Sequence, residues 1–103
     1  SKKKELVRPV PPNVTIAVNG TSIELPSNPV RFTSANGIAG YDLYEAKYTV
    51  PASTSGIPTV TASSDNSSVK VDIEQAVSKD GTAVVKFDYL GVVKTYRVVF
   101  SAN

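Results

Sequence analysis

Apolar residues along this chain recur mostly at every second position, in short runs separated by turn residues. "SVKVDIEQ" sets Val69, Val71 and Ile73 on one face against Lys70, Asp72 and Glu74 on the other, the period of two that a half-buried strand requires. "NVTIAV" does the same with Val14, Ile16 and Val18, and Asn19-Gly20 then offers a type I′ turn into "TSIEL". Strands are expected again at "AKYTV" (46–50) and at "IPTVTAS" (57–63), where Val60 and Ala62 face inward. Near the C-terminus, "TAVVKFDY" places Ala83, Val85 and Phe87 on a core face. After Gly91, "VVKTYRVVF" does so with Tyr96, Val98 and Phe100. These two runs read as a closing hairpin whose glycine supplies a positive φ after Leu90.

No window of ten or more residues carries apolar positions at helical spacing. About eight short strands with turn signals between them predict an all-β, immunoglobulin-like sandwich, mainly antiparallel. "PSNPVRFTSANGIAG" holds two prolines and two glycines, so it is expected as loop with a short edge strand near Pro29 to Thr33.

Residues 1–12 read as a linker. Lys2, Lys3, Lys4 and Arg8 are followed or interrupted by Pro9, Pro11 and Pro12, which lack backbone donors and favour an extended spacer. Residues 13–103 form the folded domain. At 103 residues one core is expected, burying about two-thirds of the surface that the unfolded chain exposes. The start without methionine is expected of a piece of a longer polypeptide, with any signal peptide upstream.

Charge narrows the partners. The net charge of +2 comes from the linker, because the chain from Asn13 onward carries seven basic and eight acidic residues of alternating sign. No basic stripe is left to follow a phosphate backbone, so nucleic acid is not an expected partner. No apolar run approaches the ~20 residues of a membrane span, and no membrane insertion is expected.

Chemistry is scarce. Histidine and cysteine are absent, which removes the common zinc ligands and the usual nucleophile and base pairs. Serines such as Ser53, Ser63 and Ser67 sit in polar loops as turn formers. Asp72 and Glu74, two apart on a strand, project about 6.6 Å apart, near the lower end of the ~6.5–9.5 Å separation of inverting glycosidases. A solvent-facing strand gives this spacing without any catalytic role, and nothing marks a cleft around it. "SSDNSS" around Asp65 and Asn66 offers oxygen ligands but one carboxylate, so a turn is expected rather than a calcium loop. Asn13, Asn19 and Asn66 begin N-x-S/T sequons, relevant only in a eukaryotic secretory host. No catalytic, cofactor or metal site is expected. Tyr41 and Tyr44 in "GYDLYEAKY" are the candidates for glycan contact, since stacking on sugar rings needs an aromatic platform, while Tyr48 and Tyr96 belong to the core and Tyr89 flanks the last turn.

The succession "VTIAVNG", "GYDLYEAKYTVP", "IPTVTAS", "VKVDIEQAV", "GTAVVKF" and "KTYRVVF", from Val14 to Phe100, resembles an immunoglobulin-like or cadherin-like β-sandwich module. Modules of that kind are attached to secreted bacterial carbohydrate-active enzymes, notably Bacteroidetes glycoside hydrolases, and to surface proteins. Three departures stand out: Leu43 follows Asp42 where that module often has proline, the last turn is widened to "DYLG", and the stretch between Gly20 and Gly40 is longer than usual. The resemblance implies no catalytic residues. It implies a non-catalytic accessory domain, secreted, periplasmic or on the cell surface, acting as spacer or packing partner for neighbouring domains of the same polypeptide. As an isolated domain it would be a monomer. A carbohydrate-binding module in contact with polysaccharide, or an adhesin or surface-stalk domain, are the alternatives.

Overall fold

The computed structural model describes residues 12–27, 29–32 and 41–102. It is an all-β sandwich. In chain order the strands are β1 (Val14–Val18), β2 (Thr21–Ser22), β3 (Val30–Phe32), β4 (Tyr41–Val50), β5 (Val60–Ser64), β6 (Val69–Glu74), β7 (Thr82–Tyr89) and β8 (Val92–Ala102). They form a three-stranded sheet, β2-β1-β5, and a five-stranded sheet, β3-β4-β8-β7-β6. All pairings are antiparallel except β4 with β8, which run parallel from Tyr44 beside Tyr96 to Val50 beside Ala102.

The core lies between the sheets and follows the alternation in the sequence. Ile16 and Val18 of β1 and Val60 of β5 meet Val50, Ala83, Val85, Phe87, Tyr96, Val98 and Phe100 from the larger sheet, all buried. Burying one such side chain fully contributes about 1.5–3 kcal/mol, so strand β8, with Tyr96, Val98 and Phe100 in the centre of its sheet, anchors the fold. Phe87 meets Tyr96 edge to face at 5.7 Å, and Tyr48 meets Phe100 at 5.9 Å. Among the described residues, no buried side-chain polar atom lacks a hydrogen-bond partner.

Local chemistry explains the turns. Asn19 at φ 50° and Gly20 at φ 85° are both left-handed, as a type I′ hairpin demands, and Asn19 also ties the turn to its neighbour by accepting from the Thr59 N–H through its side chain. The "TSIEL" strand is shorter than its pattern predicts, pairing over Thr21–Ser22, with the Ile23 N–H donating to the Ile16 carbonyl beyond. The last turn is tight rather than widened: Tyr89 faces Val92 directly, leaving Leu90 and Gly91 as a two-residue loop at φ 52° and 88°.

The structure departs from expectation most in β4. Its strand begins at Tyr41 instead of Ala46, because pairing with β3 on one side and β8 on the other holds "YDLYE" extended. Tyr44 therefore joins Ala46, Tyr48 and Val50 on the inner face, while Glu45 sits outside with its carboxylate 3.7 Å from Arg97. On β6 the inner face is only partly covered. Val69 and Ile73 pack on the core, but Val71 between them is 38% exposed.

Candidate functional site

Strand directions define two ends of the sandwich. The start of β1, the end of β5, the start of β6, the β7–β8 turn and the start of β4 gather at one end, here the hairpin end. Pro12 enters there, whereas Ala102 ends β8 at the opposite end.

The approach of the chain at the hairpin end is fixed by a clamp. Both Asp65 carboxylate oxygens are used, accepting from the backbone N–H of Asn13 at 3.0 Å and from its side-chain amide at 3.1 Å. The Asn13 carbonyl in turn accepts from the Asp65 N–H at 3.2 Å and the Ser64 hydroxyl at 2.8 Å. Asn66 closes the turn by accepting from the Ser68 N–H. "SSDNSS" is thus a turn, as expected, and its carboxylate is committed to holding Asn13. Among the described residues, no group of three or more acidic side chains is placed to hold a metal ion.

Beside the clamp the two sheets part into an open groove of about 530 Å³. Its walls come from Pro12 and Val14 on one sheet and from Val69, Phe87, Tyr89 and Tyr96 on the other. Among the described residues Lys94 supplies the one cationic group on the lining, its Nζ lying 5.6 Å from the centroid of the Tyr44 ring, within cation–π range. Leu90 and Val92 stand at the rim, 75% and 66% exposed. A leucine held at positive φ with its side chain in solvent carries two costs together, backbone strain and apolar exposure.

The burial of Tyr96 pushes its phenol above the ordinary value of 10.0, and the neighbouring Tyr44 adds to this. The two rings stack with centroids 4.8 Å apart. Of the residues singled out for glycan contact, Tyr44 is therefore half-buried against Tyr96, and the side chain of Tyr41 lies outside the described residues. Asp72 and Glu74 are exposed on the outer face of β6, and the groove lining does not include them. The groove itself was missed by sequence reasoning, although "YLGVV" holds the signal: four apolar side chains at a tight turn must meet solvent or a partner.

At the far end Gln75 acts as a piece of backbone. Its side chain accepts from the Val60 N–H at 2.9 Å and donates to the Val60 carbonyl at 2.8 Å, joining the end of β6 to β5 across the sandwich. Lys79 likewise donates to the Thr54 carbonyl at 2.6 Å. No helix forms among the described residues, and so none is long and apolar enough to cross a membrane. Compared with known protein families, with curated proteins and with solved structures, the chain matches none.

Proposed function

We propose that this chain is a non-catalytic accessory domain of a larger secreted or surface-exposed bacterial protein, a polysaccharide-degrading enzyme in the reading that its motif order favours. It works as a rigid spacer whose hairpin end packs on the neighbouring domain. One observation carries this: the chain arrives at the hairpin end, clamped by Asp65, beside an apolar groove with Leu90 and Val92 exposed at its rim, and leaves from the opposite end. A neighbour joined ahead of Pro12 would start from the end of the sandwich that carries this apolar surface.

The test compares backbone amide spectra of the 103-residue chain alone and joined to the polypeptide that precedes it. Shifts concentrated at Asn13, Val69, Leu90 and Val92 are expected, and superimposable spectra would remove the packing role. A second reading, a carbohydrate-binding module, draws on the half-buried Tyr89 ring at the groove, backed by the buried rings of Phe87 and Tyr96, with Tyr44 stacked on Tyr96. Saturable shifts at Tyr44, Tyr89 and Tyr96 on titration with polysaccharide fragments would establish that reading in place of the first.

A further inference from the structure

Among the described residues four strands end the sheets; two of these edges are short and a third is capped at its first residue. β2 pairs over two residues and β3 over three, the latter directly behind Pro29. β5 has its Val60 backbone groups capped by Gln75. The fourth, β6, is different. Among the described residues it pairs with β7 alone, in an unbroken register from Val69 beside Tyr89 to Glu74 beside Val84. It has no proline, no glycine and no bulge, and Val71 at its centre is exposed. The Val69 N–H is taken by the Asn66 carbonyl, and beyond it an unbroken edge of this kind presents outward backbone groups over about 15 Å and templates a further strand.

We propose that β6 is a self-association edge that pairs antiparallel with β6 of a second copy about a two-fold axis at Val71. The occupant follows from charge. Two-fold pairing must be antiparallel, and each register is named by the residue on the axis. With Lys70 on the axis, lysine meets lysine. With Asp72 there, aspartate meets aspartate, and with Ile73 there, Asp72 meets Glu74. Among the registers that pair three or more residues of β6, only the Val71 register is free of like charges: Lys70 faces Asp72 of the second copy, Asp72 faces its Lys70, and Glu74 faces Ser68. The same register sets Val69 against Ile73 and Val71 against Val71 on the inner face.

The intramolecular ladder extends the pattern. Lys70 lies beside Asp88, and Asp72 beside Lys86. Across the joined sheets the outer row therefore reads Asp88, Lys70, then Asp72 and Lys86 of the second copy, alternating in sign at every step. The inner row reads Phe87, Val71, Val71, Phe87. Opposite charges and apolar side chains placed directly across antiparallel strands are stabilising, and like charges there are not. The monomer expected of the isolated domain gives way at high concentration to a symmetric dimer with a ten-stranded sheet.

Sedimentation equilibrium of the 103-residue chain tests this. Dimerisation is expected with Kd of roughly 10 μM to 1 mM, the range of a small interface. Lys70→Asp and Asp72→Lys each place like charges opposite one another twice and should weaken it about tenfold or more. The double swap Lys70→Asp/Asp72→Lys restores opposite pairs and should recover it. Val71→Lys puts two ammonium groups at the axis and should abolish it in a chain that circular dichroism shows folded. A monomer at about 1 mM in the parent chain would overturn the proposal. So would a dimer indifferent to Val71→Lys, a folded double swap that stays monomeric, or a dimer lost on Leu90→Ser/Val92→Ser, which would assign the contact to the groove.

Discussion

Leu90→Asn should make the domain more stable although it removes an apolar side chain. In the parent chain Leu90 sits at φ 52° as the first residue of a two-residue turn. That left-handed conformation costs an ordinary L-residue about 1–2 kcal/mol, and asparagine much less. Against this gain stands lost packing. Leu90 is 75% exposed, so roughly a quarter of the ~1.5–3 kcal/mol of full burial, or about 0.4–0.8 kcal/mol, is at stake. The net expectation is about +0.2 to +1.6 kcal/mol. For a domain of this size each kcal/mol moves the midpoint by about 4–8 °C. Thermal melts and urea titrations at unchanged m-value measure it. The Asp88 carboxylate, which accepts from the Gly91 N–H at 2.9 Å, stays in place and keeps the turn comparable. A lower midpoint would refute the reasoning, because it would mean that Leu90 contributes more to the groove than its exposure allows.

Three further outcomes follow from contacts elsewhere in the sandwich. Gln75→Ala leaves the Val60 N–H and carbonyl without their side-chain partner in a residue that is 1% exposed, and should cost about 1–3 kcal/mol in chemical denaturation. Asp65→Ala breaks both bonds to Asn13 at an exposed site; a loss near 1 kcal/mol is expected, with faster hydrogen exchange at the Asn13 amide while the core amides keep their protection. Because the Tyr96 phenol is raised above 10.0 in the folded chain, its stabilising contribution is complete below that pH and declines as pH rises from there through the folded value; Tyr96→Phe should flatten the alkaline limb of the stability curve.

The strands that alternate most cleanly were legible because each pairs with a sequence neighbour. Val14 to Val18, Val69 to Glu74 and the last two strands carry their own period, and the Asn19-Gly20 turn its own chemistry. β4 was read too short because what extends it lies elsewhere: Tyr44 is held by Tyr96, fifty-two residues on, in a parallel pairing that no local turn announces. The same holds for the clamp, since Asp65 finds Asn13 across the same distance. Gln75 was within reach. It continues the parity of Val69, Val71 and Ile73, which turns its amide toward β5, where the buried Val60 backbone groups need a partner. Leu90 shows the opposite case, a position where the turn geometry calls for asparagine or glycine and the sequence departs from it.

The place of β8 bears on how the domain would carry load. It lies at the centre of its sheet, in register with β4 over Tyr96 to Ala102 and with β7 over Val92 to Val99. Tension transmitted from Ala102 runs along that strand, so the hydrogen bonds on both flanks are loaded together in shear instead of parting one at a time. A pull applied sideways at the edge strand β6 would peel its single ladder sequentially. Rupture under force follows the unfolding rate, and the sandwich is therefore mechanically anisotropic: stiff along the line from the hairpin end to the far end, and weak across it.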